Sequence, residues 1–554
     1  MPLSNSLSQM KKQYRIVVIG SGYGGAIVAA RLAESGQQDI CILERGQEWS
    51  KFPDTPKGML KNLRTSKRRL GLYEYLPFKE INVFKGCGLG GTSLINANVA
   101  IRPDKEFFTH YDWPTSIRNL AASGNIWKYY DKAKSMLAAG PRYIRPQYKK
   151  LAKVEAMRTR TRQLSHYTFH SSLDIAVNFT VNGTNQFGVK QRPCIDCGDC
   201  FTGCNVGAKN TLDMNYLPYA KQRGVKIFTR VEVLHFTKTQ DGKFTIYFRI
   251  NHKSKPAQVK TVKARNVILA AGSLGSTEIL LRSEKLGLET SKRLGQSFSG
   301  NGDFYGIAYN NDRRTNIMGF GNHPRSKRAA VKPGASIISG IQYNRNQPFT
   351  KRFIVEDTSL PLAAVDLARR ALPAMALAGK DTDFGFVDSL KELRRIGRDL
   401  LSWTPKGALN QTMIYLVMAV DDSGGRMSLN TKGKLEIRWP SVQNQTVFKK
   451  INEELGKHAE SLGGTFIENI GWASLFGSRL TTVHPLGGCS LGEDTDHGVV
   501  DHRGRVFDGK GGVHDGLYIV DGAIIPGAIG VNPFLTISAL AEKISEAMPQ
   551  TLLP

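Results

Sequence analysis

Apolar residues along the chain fall into two kinds of run. The first kind is short and unbroken: RIVVI at Arg15–Ile19, DICIL at Asp39–Leu43 and the end of ARNVILAAG at Ala264–Gly272. Such runs predict strands buried on both faces, as in a parallel sheet covered by helices. Between the first two, GSGYGGAIVAARLAESG has helical apolar spacing and a terminal glycine, Gly36, and SLGSTEILLRS after the third predicts another helix. A strand, helix, strand order at the start of the chain favours a doubly wound, Rossmann-type α/β fold. The second kind of run alternates. Between about Gly300 and Ile470, ASIISGIQY, KRFIVED and TMIYLVMAV predict a mainly antiparallel sheet, read as a second, substrate-side domain. A helix from Leu212 leads to the strand pair GVKIFTRVEVLHF, and the C-terminal part reads as a strand, a glycine-rich loop and a final helix.

Composition adds a charge problem. Among 554 residues, Lys+Arg 76 against Asp+Glu 47 leaves +29, a field that attracts nucleic acid or an anionic membrane. No RNA- or DNA-binding signature accompanies it, so no specific nucleic-acid partner is expected. The basic stretches Lys61–Arg69 and Arg142–Arg162, the latter read as a helix with a solvated face, and the amphipathic segment Val365–Leu377 offer docking elements for anionic lipid; plain solvated surface is the alternative. No apolar leader precedes the first strand, and no run reaches the roughly 18 apolar residues that span a bilayer. Four of the seven cysteines crowd into eleven residues, which disfavours a secreted disulfide scaffold. The expectation is a cytoplasmic protein, at most peripheral to the membrane.

The glycines carry the first chemistry. Gly20-x-Gly22-x-x-Gly25 follows a strand and opens a helix, and Glu44 ends the next strand. Glycines there permit a tight turn and close approach to a pyrophosphate, the helix start supplies N–H donors, and an acid in Glu44's place accepts ribose hydroxyls. Dinucleotide binding is the expectation. A second glycine-rich loop, Lys85–Pro103, again lets backbone approach a ligand.

This fingerprint, together with NVFKGCGLGGTSLINANVAIRP, HPLGGC, VNPF and GLYIVDGAIIP, resembles the glucose-methanol-choline (GMC) flavoprotein oxidoreductases, and among them the cholesterol oxidases. The resemblance implies FAD as the dinucleotide. It implies that Gly20, Gly22, Gly25 and Glu44 hold the ADP half, that Val233 meets the adenine, and that Gly90, Gly91 and Asn96 line the flavin. Asp521 would contact the ribityl chain, and Asn532 and Phe534 would approach the isoalloxazine. His484 and Asn532 are the implied catalytic pair, and Glu356 the implied proton shuttle of double-bond isomerisation; a strand-end acid facing water is the alternative for Glu356. One departure is Ala97-Asn98-Val99, where cholesterol oxidases carry glycines and a methionine. The implied division is an FAD-binding domain from 12–50, 85–104, 205–300 and 472–554, and a substrate domain from 51–84, 105–204 and 301–471.

Cys194-x-x-Cys197-x-x-Cys200-x-x-x-Cys204 has the spacing of bacterial ferredoxin ligands, with Asn205 where a proline commonly follows. An iron–sulfur cluster, a structural zinc and an unmetallated set of thiols all fit this spacing. The expected function is oxidation of a sterol, hydroxysteroid or similar bulky lipid alcohol, with oxygen or an electron carrier as acceptor. A long-chain alcohol oxidase or dehydrogenase is the alternative enzyme, and a lipid- or nucleic-acid-binding protein with a vestigial flavin fold the non-enzymatic one.

Overall fold

The computed structural model describes residues 2–65, 70–140, 146–251, 258–323, 330–401, 406–469 and 479–554. Its larger sheet is centred on the strand Gln13–Ile19, which runs parallel to Ile40–Leu43 on one side and to Val259–Leu269 on the other. Lys226–Phe228 and Val513–Ile519 extend the parallel order outward on the two sides. The chain thus leaves the central strand toward one neighbour and later returns beside it on the other. That reversal opens a crevice at the carboxyl ends of the strands.

Val259–Leu269 shows why period matters. Val267, Ile268 and Leu269 are buried and pair in parallel along both edges, whereas the first half alternates exposed and buried and pairs antiparallel with Phe244–Ile250. The burial period changes where the cover changes from two faces to one.

The second sheet is antiparallel throughout, in the order Lys380–Asp381, Thr465–Ile467, Phe304–Tyr309, Met413–Ala419, Phe353–Thr358, Gly340–Tyr343 and Thr168–His170. Its alternation does not separate core from water. Phe353, Val355, Tyr415 and Val417 join one hydrophobic cluster, with the helix Thr446–Leu462, while Ile354, Leu416 and Met418 belong to the cluster of the larger sheet. The even-numbered face therefore looks toward the crevice.

One expectation about charge is met only in part. The segment Arg142–Arg162 divides: Lys149, Lys150, Glu155 and Arg162 are exposed, as a solvated face requires, whereas Lys153 is fully buried on the helix Ala152–Thr161 and Arg160 is buried against Glu454 at 2.9 Å. A long basic side chain folds inward when carbonyls and carboxylates wait for it. Arg142 and Arg145, like Lys67, Arg68 and Arg69 of the other basic stretch, lie outside the described residues. Val365–Leu377 falls on the helix Leu362–Ala376, with Ala363, Val365 and Leu372 inward and Leu367 exposed. Among the described residues, no helix is long and apolar enough to cross a membrane.

Candidate active site

Chain segments leaving the carboxyl ends of the parallel strands, at Gly20, Glu44, Ala270 and Asp521, meet at one cavity that extends to the second sheet. Gly22 lies at its edge, and a Cβ there would meet nothing within 4 Å. Its neighbours are glycines for the opposite reason. A Cβ on Gly20, Gly24 or Gly25 would lie 2.3, 1.5 or 2.1 Å from a backbone oxygen. Gly22 also caps the helix Tyr23–Glu34 without a side-chain bond. A helix start with no side-chain cap, facing open space, offers its N–H donors and positive end to an anion such as a pyrophosphate.

Of the sequence-derived cofactor set, Gly20, Gly22, Glu44, Gly91, Asn96, Val233, Asp521, Asn532 and Phe534 line this cavity. Gly25 and Gly90 stand behind its wall. Glu44 is held by Ser21 N, Ser21 Oγ and Gly46 N at 3.1, 2.6 and 2.7 Å. Asp521 accepts from Gly272 N, Ser276 Oγ and Ala523 N at 2.9, 2.5 and 2.8 Å, and burial pushes its pKa up against those bonds. Phe534 stacks on Tyr23, with ring centroids 5.0 Å apart, and the Tyr23 hydroxyl accepts from Asn96 Nδ2 at 2.9 Å. Among the described residues, Asn96 Oδ1 and Asn532 Oδ1 are buried at the cavity without a hydrogen-bond partner. Orphaned acceptors beside an open helix start suit a ligand that brings polar hydrogens and phosphates, so the donor set fits FAD. The departure at Ala97-Asn98-Val99 has a local reason: Asn98 adopts φ +58°, which asparagine tolerates in place of glycine, and its side chain donates to Ala176 O at 2.8 Å.

The implied catalytic residues arrive from three remote segments. His484 Nδ1 faces Asp303 Oδ1 at 2.8 Å, and Asp303 Oδ2 accepts from the backbone N–H of Val483 and His484 at 2.7 and 3.1 Å. In the tautomer in which Nδ1–H donates to Asp303 Oδ1, Nε2 carries the free lone pair. Asn532 sits in a loop pinned by Asn301, whose Nδ2 donates to Val531 O at 2.9 Å and whose Oδ1 accepts from Ile529 N at 2.8 Å. Asn532 Nδ2 in turn donates to Glu356 Oε2 at 3.3 Å.

Glu356 lies within the strand Phe353–Thr358, wholly buried rather than facing water at a strand end. Burial pushes its pKa up to about 8; Asn532's bond opposes the rise, and Asp357 and Asp303 add to it. At neutral pH the group is therefore mostly a neutral acid.

The four cysteines gather elsewhere, around a small cavity of their own beside Lys209. Among the described residues, the one group of three or more metal-ligating side chains with atoms within 4.8 Å of one another is Asp312, Asp383 and Asp388, so no three of the Sγ atoms are that close.

Sequence reasoning passed over Asp303, Asn301, Tyr23 and Gly24. Gly24 was within reach, as one of four glycines in GSGYGG, but Asp303 lies 181 residues from His484 and carries no local signal.

Comparison with known proteins places the chain in a family. GMC oxidoreductase family models match residues 17–299 and 430–541. A cholesterol oxidase of Mycobacterium tuberculosis is 28% identical, covering 98% of this chain and 92% of its own. One from Acinetobacter baumannii is 27% identical over 97% of this chain and 94% of its own. A long-chain-alcohol oxidase of Arabidopsis thaliana is 21% identical over 97% of this chain and 68% of its own. The crystal structure of pyridoxine 4-oxidase from Mesorbium loti superposes with a TM-score of 0.58 at 14% identity, covering 97% of this chain and 99% of that one. With both family models matched across a Rossmann-type sheet and its crevice, the chain belongs to the GMC oxidoreductases, FAD-dependent enzymes of the alcohol-oxidising type.

Proposed function

We propose that the enzyme oxidises a sterol, hydroxysteroid or similarly bulky lipid alcohol to the ketone. The observation that carries this reading is the buried Asn532–Glu356 pair behind a cavity wall of Tyr305, Ile337, Leu360, Ile414 and Leu416. Such a wall suits an apolar ring system. A mostly protonated carboxyl beside it suits a proton moved between carbons, which a linear alcohol oxidase has no use for. FAD, when bound, supplies the hydride acceptor. His484 Nε2 takes the hydroxyl proton as the carbinol hydride leaves, so that CH–OH becomes C=O, and Asp303 holds the imidazole for that transfer. Asn532 orients the substrate oxygen, and Glu356, in its carboxylate form, moves a proton during a double-bond shift. In this reading 12–50, 85–104, 205–300 and 472–554 hold the flavin, and 51–84, 105–204 and 301–471 face the substrate. Oxygen or an electron carrier takes the electrons.

The test is anaerobic bleaching of the purified yellow enzyme by a panel of 3-hydroxysteroids, long-chain primary alcohols, choline and pyridoxine. Bleaching by hydroxysteroids at the lowest concentration is expected. Bleaching by primary long-chain alcohols alone would move the substrate to linear chains.

The same reading makes the enzyme cytoplasmic and peripheral to an anionic membrane. Pro361, which lines the cavity, immediately precedes the helix Leu362–Ala376, and Leu367, Leu377, Phe386 and Leu393 nearby are exposed. With +29 overall, acidic lipid is the matching surface. Cosedimentation with phosphatidylserine vesicles, weakened by salt and by Phe386→Asp, is expected. Equal binding to neutral vesicles would overturn the charge argument.

A further inference from the structure

Four cysteines that alcohol oxidation does not use surround a cavity separate from the flavin crevice. Cys194, Cys197, Cys200 and Cys204 all border it, with Val177, Val206 and Ala335 among its other walls. Gly198 and Gly203, at φ +77° and +102°, turn the loop back so that its sulfurs face inward. Asn205 clamps the loop to Phe52, accepting from its N–H at 2.8 Å and donating to its carbonyl at 3.0 Å. The side chain thus ties down the position where ferredoxins commonly have proline. Two sulfurs already accept backbone N–H bonds: Cys194 from Asp196 at 3.4 Å and Cys204 from Ala208 at 3.3 Å.

A buried cation supplies the second observation. Lys209 is 1% exposed, and its ammonium donates only to carbonyls, those of Leu94, Asn96 and Cys200, at 3.0, 2.6 and 3.0 Å. No carboxylate lies within ion-pair reach of it among the described residues. A buried ammonium without a counter-ion is costly. Four metal-bound thiolates, Cys200 among them, would supply the missing negative charge.

We propose that Cys194, Cys197, Cys200 and Cys204 ligate a [4Fe–4S] cluster. A cubane takes one thiolate on each of four irons, and the run C-x-x-C-x-x-C-x-x-x-C has the spacing of ferredoxin ligands rather than the paired C-x-x-C arms common in structural zinc sites. The other cysteines, Cys41, Cys87 and Cys489, do not border this cavity, so one cluster uses the whole set.

Lys209 ties the cluster to the flavin crevice, since Asn96 and Phe201 both line that crevice. One electron reduces the cluster from [4Fe–4S]2+ to [4Fe–4S]+. The two electrons of each alcohol therefore leave singly, to two molecules of a one-electron carrier, and the two protons go to water.

The full-length protein, purified anaerobically with its FAD, should contain about four irons and four acid-labile sulfides per chain. Dithionite should bring out a low-temperature EPR signal from the reduced cluster. In Cys197→Ser, FAD content should stay at the wild-type level, marking an intact fold, while iron falls by a quarter or more and the EPR signal changes or disappears. Stoichiometric zinc without sulfide would overturn the proposal. So would metal-free protein with four titratable thiols, or full iron and an unchanged signal in both Cys197→Ser and Cys200→Ala. Each of these readouts is independent of alcohol turnover, so an error in the assigned substrate would leave them unmoved.

Discussion

The two sides of the main cavity are made of different material. On the parallel-sheet side the wall is largely backbone: Gly20, Gly24 and Gly25 exist so that main chain can touch main chain, and Gly22 so that nothing intrudes on the ligand. On the antiparallel side the working groups are side chains held by other side chains, with Asp303 on His484, Asn301 on the Asn532 loop and Asn532 on Glu356. A backbone wall is specified by neighbours in the chain and fails when an atom is added. A side-chain constellation is specified by distant partners and fails when an atom is removed, with the fold left standing.

The sharpest way to break this contrast is Gly22→Val. Its side chain would project into open cavity, so the protein should fold with an unchanged circular-dichroism spectrum yet purify colourless. A yellow Gly22→Val with full flavin occupancy would put the pyrophosphate elsewhere.

On the opposite wall, His484→Ala should keep its flavin and slow anaerobic flavin reduction by about 10² or more, the usual cost of losing a general base. Asp303→Asn should do less. It removes the charge behind the imidazole, and a hydrogen bond to a charged group contributes about 1.5–3 kcal/mol, or about 10- to 100-fold. Stopped-flow rates for both variants check the order. Native reduction in His484→Ala sinks the assignment, and an Asp303→Asn defect larger than that of His484→Ala would mean that Asp303 serves the fold first.

The smallest effect concerns Glu356, whose folded pKa of about 8 stands above its ordinary 4.5. The folded state holds this proton more tightly, so the associated stability is complete below about pH 4.5 and is lost as pH rises through about 8. Glu356→Gln, which cannot ionise, should gain in Tm relative to wild type between pH 5 and 8, and any double-bond shift by the wild type should rise over the same interval. A Tm difference that ignores pH would show that Glu356 is not held neutral.

Legibility followed the same division. The fingerprint, Glu44 and the unbroken apolar runs were readable because each depends on residues a few positions apart, and a Rossmann-type sheet follows from them almost without tertiary information. KRFIVED was readable as a strand. Its environment was not, since alternation reports two unlike faces without saying whether the second meets water or a cavity. The same ambiguity made Glu356 as compatible with a solvent-facing strand end as with burial.

By itself, then, the chain determined where backbone must bend, which strands must be covered twice, and that four thiols lie close together, because these are properties of short segments. Only the tertiary structure brought Asp303 to His484 across 181 residues, put Asn532 against Glu356 across 176, and left Lys209 buried beside Cys200 with no carboxylate partner among the described residues. Desolvation and hydrogen-bond partnership depend on every segment packed around a group, and no local stretch of sequence holds that information.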